Sequence, residues 1–156
     1  MRNLILFYSK TGNTALVAQT IKDKFKSHVK ELNDFSHNKT GIEYLFPTIF
    51  ESASINHYNF DIDYYETIFI GTPVWISSLT PAISEMIKNV DFKGKNVVLF
   101  NTMKFYGGHN AIRRMAKLVK KSNGNVIAAF TIKTNTSKEN IVKNTISAIN
   151  DINLKY

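Results

Sequence analysis

Residues 9–14, Ser9-Lys10-Thr11-Gly12-Asn13-Thr14, place three hydroxyls, one amide and one glycine in a row. They follow the apolar run Leu4-Ile5-Leu6-Phe7-Tyr8 and lead directly into a helical pattern, so they form a strand-to-helix turn. Backbone N–H and side-chain O–H donors at such a turn, with the partial positive charge of a helix start, suit a phosphate dianion without needing a basic side chain. The chain has no G-x-x-x-x-G-K-[ST] and no G-x-G-x-x-G, which argues against a nucleoside triphosphate and against a dinucleotide bound in the Rossmann manner. Two further loops carry chemistry. Residues 72–78 begin Thr72-Pro73-Val74-Trp75-Ile76 and hold the single tryptophan. Residues 101–109 begin Asn101-Thr102 and contain Phe105, Tyr106, Gly107, Gly108 and His109. A phosphate pocket beside exposed loop aromatics suits a flat aromatic ligand with a phosphate tail, and glycines let the backbone approach its edge.

The elements that must position these loops alternate between two periods. Residues 4–8, 67–70 and 97–100 are continuous apolar runs, as strands covered on both faces require. Thr14, Val17, Ala18, Ile21 and Phe25 recur at helical spacing, as do Ile83, Met86, Ile87 and Val90, then Ile112, Met115, Ala116 and Val119, then Ile141, Val142, Thr145, Ile149 and Ile152. Residues 28–32 alternate weakly, as an edge strand would, and residues 126–132 form the last strand. Thr80 is placed to cap the second helix, with Pro81 in its first turn, and Thr136 with Glu139 reads as a capping box for the last. Residues 34–62 are least legible, with one helix expected around residues 42–52. The result is βαβαβαβαβα, which predicts an α/β three-layer, doubly wound parallel sandwich. In such sheets ligands bind outside the carboxyl ends of the strands, where strand order reverses, and all three loops fall on that edge.

Composition bounds the rest. The chain has 156 residues, 44% hydrophobic and 12% aromatic, and reads as one globular domain over 1–156. It has no cysteine, which excludes disulfides, thiol catalysis, thiolate zinc sites and iron–sulfur ligation. No metal site and no catalytic side chain is expected. Met1-Arg2-Asn3 precedes too short an apolar run for a signal peptide, and no run spans a bilayer, so a cytoplasmic protein without membrane insertion is expected. Net charge is +8, unevenly placed: residues 40–92 hold seven acids against Lys88, and residues 93–121 hold eight bases and no acid. That polarity can steer an acidic partner or an anionic surface.

The sequence resembles the flavodoxin family. S-K-T-G-N-T matches the family's [ST]-x-T-G-N-T phosphate motif, I-F-I-G-T-P-V-W matches its third strand and flavin-stacking tryptophan, and the order of elements agrees along the whole chain. The resemblance implies strand order 2-1-3-4-5 and non-covalently bound FMN. It implies that Ser9, Lys10, Thr11, Gly12, Asn13 and Thr14 hold the phosphate. Thr72, Pro73, Val74, Trp75 and Ile76 would then flank the isoalloxazine. Asn101, Thr102, Tyr106, Gly107 and Gly108 would hold its pyrimidine end, with Tyr106 or its neighbour Phe105 as the second ring. The short segment between the last strand and last helix implies the short-chain type.

Three departures bear on function. The family's electron shuttles are acidic, whereas this chain is +8. Their tryptophan is often followed by a residue that tolerates positive φ, whereas Ile76 is β-branched and disfavours it. The third loop lacks an acid to repel an anionic reduced flavin, and Lys104 and His109 would favour it. Together these predict a reductase passing electrons from NAD(P)H to a quinone or other small acceptor. The alternative is a one-electron carrier between redox partner proteins, and the resemblance to dimeric reductases also allows a homodimer. A third reading, a binding module using the basic helix face, lacks any nucleic-acid motif, so no specific nucleic acid is expected.

Overall fold

The computed structural model describes residues 2–32, 61–152 and 154. Five strands, β1 (Asn3–Phe7), β2 (His28–Glu31), β3 (Thr67–Pro73), β4 (Asn96–Met103) and β5 (Asn125–Lys133), form one parallel sheet of order β2-β1-β3-β4-β5. Four helices connect or follow them: α1 (Asn13–Phe25), α2 (Pro81–Asn89), α3 (Gly108–Lys121) and α4 (Lys138–Asn150). The expected α/β sandwich and its 2-1-3-4-5 order are both present. The expected helix around residues 42–52 lies outside the described residues, while Ile62–Tyr64 at the end of that segment is a single 3-10 turn.

Period-two alternation along the central strands builds a core on each face of the sheet. Leu4, Leu6, Ile68, Ile70, Val97 and Leu99 point into the layer that α2 and α3 cover with Ile83, Met86, Ile87, Met115 and Val119. Ile5, Phe7, Phe69, Val98 and Phe100 point the other way, against Val17, Ala18 and Ile21 of α1 and Ile141 and Ile149 of α4. Burial of each such side chain is worth roughly 1.5–3 kcal/mol, so the three central strands carry most of the fold's stability. The two edge strands differ from them. β2 is largely exposed, and β5 is mostly exposed or half-buried, with Ile132 alone fully in the core.

Close packing fixes the middle of the sheet. Gly71 lies under the Phe100 ring, where an added Cβ would come within 2.0 Å of a ring carbon. Phe100 stacks in turn on Phe130 of β5, ring centroids 5.8 Å apart. At the amino edge, the Asn3 side-chain amide donates to the Phe25 carbonyl at 3.1 Å and ties the start of β1 to the end of α1.

Strand order reverses between β1 and β3, so the switch point lies at their carboxyl ends. The turns that leave β1, β3 and β4 all emerge on that edge.

Candidate functional site at the carboxyl edge of the sheet

The first loop joins β1 to α1. Gly12 takes the left-handed region, φ 85°, and serves as N-cap without a side chain to accept from the helix's first N–H groups. A Cβ on Gly12 would meet nothing within 4 Å, so the space before these donors is open. The Ser9 hydroxyl accepts from the Ala15 N–H at 3.2 Å and steadies the loop from one side. Thr14 is buried, and its hydroxyl is paired with that of Thr102 at 2.8 Å. Thr14 and Thr102 therefore join α1 to β4. Lys10, Thr11 and Gly12 are exposed, Ser9 and Asn13 half-buried.

The second loop leaves β3. Thr72 is fully buried, and its hydroxyl is completely used. It donates to the Pro73 carbonyl at 3.0 Å, accepts from the Thr80 N–H at 3.1 Å and lies 3.1 Å from the Thr80 hydroxyl. Thr80 is the N-cap residue of α2 with Pro81 behind it, as expected, but its side chain makes no capping bond because Thr72 engages it. The Val74 N–H donates to the Thr102 carbonyl at 2.8 Å and holds this loop against β4.

Trp75 and Ser78 then close a two-residue turn with reciprocal backbone bonds, Trp75 N–H to Ser78 at 2.9 Å and Ser78 N–H to Trp75 at 2.8 Å. The two central residues are left-handed, Ile76 at φ 46° and Ser77 at φ 59°, the signature of a type I′ turn. The expectation that β-branching keeps Ile76 out of positive φ is therefore wrong. The two bonds of the narrow turn require that region at both positions, and Ile76, 75% exposed, has no core contact to oppose it. Trp75 is half-buried, edge-on to the buried Tyr8 with centroids 5.7 Å apart, and the Lys10 ammonium lies 5.4 Å from its ring centroid.

The third loop leaves β4. Asn101 faces inward and is fully buried, its amide donating to the Gly108 carbonyl at 2.7 Å while its Oδ1 has no partner among the described residues. Asn101 thus pins the loop, and Thr102 is occupied by Thr14. Gly107 is left-handed at φ 92° and begins α3 without a side-chain cap, repeating the arrangement at Gly12. A Cβ on Gly107 would stand 2.6 Å from Ser77 Cα, so the second and third loops touch here. Gly108 is equally confined, between Thr131 and Met103. Of the two candidate rings neither turns inward: Phe105 is 72% and Tyr106 76% exposed.

Sequence reasoning missed the residues that hold the loops together. Thr80 was marked only as a helix cap and Tyr8 only as the end of an apolar run, while Arg114, whose guanidinium donates to the Ser78 hydroxyl at 3.0 Å, carries no motif that would mark it. The arrangement offers uncapped backbone donors at a helix start, a half-buried indole a few residues from the strand end, and two exposed rings opposite. Among the described residues no cluster of His, Asp or Glu could hold a metal ion.

Comparison with known proteins bears on the family and the fold. A sequence model of the family described as Flavodoxin matches residues 49–149. The chain belongs to the flavodoxin family. No curated protein matches it in sequence. Solved structures share its fold. A flavoprotein from Lactobacillus acidophilus NCFM in complex with FMN has a TM-score of 0.68 at 20% identity, covering 83% of this chain and 92% of its own. A protein from Bacteroides uniformis ATCC 8492, described as a flavoprotein, gives 0.72 at 20% identity over 91% and 96%. A Fusobacterium nucleatum flavodoxin bound to flavin mononucleotide gives 0.60 at 15% identity over 96% and 95%. Within this flavodoxin-family chain no described helix is long and apolar enough to cross a membrane.

Proposed function

We propose that the chain is an FMN-binding redox flavoprotein that exchanges electrons with a partner protein. The observation that carries the cofactor reading is the uncapped, unobstructed helix start at Gly12, set on the same edge as Trp75. FMN would supply the electron-transfer chemistry itself. The chain's own residues bind and orient it. Backbone donors of residues 10–13 and the helix start face the phosphate, and the Lys10 charge adds to their field. Trp75, backed edge-on by Tyr8, offers an apolar face, and the 104–107 loop limits the opposite side. The relatives named above bind FMN in two cases, which supports the same reading here.

Exchange with a protein is favoured by the shape of this edge. Ile76, Phe105 and Tyr106 project from it, and the left-handed Ile76–Ser77 backbone removes the objection to the family's shuttle chemistry. Titrating FMN into apoprotein tests the reading. Trp75 is the sole tryptophan, so its fluorescence should quench to completion at one FMN per chain. Well-folded protein that neither quenches nor retains FMN overturns it.

A second reading, reduction of a quinone or other small acceptor by NAD(P)H, is favoured by one observation. Residues 101–109 carry Lys104 and His109 and no carboxylate, which favours an anionic reduced cofactor. Absorbance during anaerobic reductive titration separates the two. A long-wavelength band that grows and then decays midway marks single-electron steps. Its absence, with fast NAD(P)H oxidation in the presence of a quinone, favours the reductase.

A further inference from the structure

The outer flank of the site is as distinctive as its interior. Ile76, Phe105 and Tyr106 stand on two loops that touch at Ser77 and Gly107. Basic side chains surround them. Lys10 lies over Trp75 on one side, Lys104 precedes Phe105, and His109, Arg113, Arg114 and Lys117 continue along the exposed face of α3. The Arg114 guanidinium donates to the Ser78 hydroxyl at 3.0 Å and that of Arg113 lies 3.2 Å from His109 Nε2, so neither is tied to a carboxylate among the described residues. Among the described residues the only ion pairs are Lys88–Glu85 and Lys93–Asp63, and neither involves these cations.

The amino edge of the sheet is the reverse. Asp61, Asp63 and Asp91 lie in the turns before β3 and β4: Asp61 accepts from the Asp63 N–H, Asp63 pairs with the Lys93 ammonium, and Asp91 accepts from the Lys93 N–H and the Asn123 amide. Hydrogen bonds from Asn123 and the Lys93 backbone hold the Asp91 carboxyl below its ordinary range. Among the described residues, acids are thus paired or hydrogen-bonded at one end, and the bases at the other meet no carboxylate.

We infer that the surface formed by Ile76, Phe105, Tyr106 and the His109-Arg113-Lys117 face of α3 docks an acidic protein, whose carboxylates meet these cations around a small apolar centre. An apolar, aromatic centre rimmed by arginine is the anatomy of a protein interface. Unpaired cations steer a partner of opposite sign to it. Nucleic acid fits less well, because the protruding centre is apolar where phosphates would lie. A bilayer fits less well, because three tips on two short loops bury little area. The inference rests on the redox reading only in making that partner a redox protein.

The test uses two redox probes of opposite charge, a plant-type [2Fe–2S] ferredoxin, which is acidic, and cytochrome c, which is basic. Binding is measured by calorimetry and by amide chemical-shift changes, on the protein with and without FMN. The ferredoxin should bind at low salt and shift residues 76–78 and 104–117. Its affinity should fall about tenfold or more by ~0.2 M salt. Arg113→Glu with Lys117→Glu should weaken it about tenfold again, while Arg113→Lys retains it; circular dichroism checks that each variant folds. Equal or tighter binding of cytochrome c, or indifference to the charge reversals, overturns the inference. So does tighter binding to a 20-base-pair duplex, or to vesicles containing phosphatidylserine, than to the ferredoxin. Ferredoxin binding to a protein that takes up no FMN would leave the docking face standing and remove the redox reading. FMN uptake without ferredoxin binding would do the opposite.

Discussion

Two helices begin on the same edge of the sheet in opposite ways. At α4, the Ser137 hydroxyl accepts from the Asn140 N–H at 3.2 Å, and Glu139 stands in the first turn with its carboxyl held below its ordinary range by hydrogen bonds from its own backbone N–H and from Ser137. Every device that quiets a helix start is present there. At α1 the N-cap is a left-handed glycine with no side-chain cap, and no acidic residue lies in the first turn. Of the nearby hydroxyls, Ser9 accepts from the Ala15 N–H within the first turn, while that of Thr14 is turned to Thr102. One helix start is finished by its own sequence. The other leaves the N–H groups of Asn13 and Thr14 without a partner among the described residues. The α1 start thus forgoes the capping bond that α4 makes, a bond worth about 1 kcal/mol.

Changing the two starts should therefore have unlike consequences. The largest effect is expected from Gly12→Val, which forces a β-branched residue to φ 85° and fills the open space. FMN affinity, read from Trp75 fluorescence, should fall about a hundredfold, in line with the loss of one or two charge-assisted hydrogen bonds. Next is Thr14→Val, which leaves the Thr102 hydroxyl buried and alone; denaturant melts should show a loss of about 2 kcal/mol. The double variant Thr14→Val with Thr102→Val should recover most of that loss, since both polar partners are then gone.

The 76–78 turn sharpens the comparison from another side, because it is left-handed without glycine. Replacing Ile76-Ser77 by Asn-Gly should raise stability by about 1 kcal/mol, by relieving positive φ at a β-branched residue. A destabilised variant would mean that Ile76 is held there by contacts of its own. Ser137→Ala should cost about 1 kcal/mol and leave FMN affinity unchanged. The smallest effect concerns pH. Because the folded-state pKa of Glu139 is lowered, its contribution is present above the unfolded carboxyl value and is lost as pH falls through the folded one. Glu139→Gln should flatten that part of the acid-stability profile.

Much of this was legible in the chain. The continuous apolar runs identify the strands buried on both faces, and helical spacing finds four helices and the residues that bury them. The weaker pattern at residues 28–32 correctly marks an edge. What was not legible has a common physical origin, competition between neighbours that sequence spacing cannot rank. Thr136 and Ser137 both carry a hydroxyl, and the capping bond belongs to Ser137, one residue later than expected, while Thr136 accepts from the Asn140 amide instead. Thr80 could cap α2, but Thr72 across the loop engages its hydroxyl. Asn101, expected in the third loop, lies within β4, where its amide reaches the Gly108 carbonyl and the side chain is fully buried. Ile76 adopts a region its own chemistry disfavours because two backbone bonds outweigh a local preference of about 1–2 kcal/mol. In the candidate site, then, the types of residue were readable while the direction each faces was decided by long-range partners.

The glycine beneath the Phe100 ring has a consequence for how this sequence can drift. A methyl group at position 71 would force the Phe100 ring to move, so it is accommodated only if the ring shrinks first. Phe100→Leu opens the gate through which Gly71→Ala can pass, whereas the reverse order traverses a form that must shift its sheet. Positions 71 and 100 should thus be inherited as a pair, with a permitted order of substitution built into the packing.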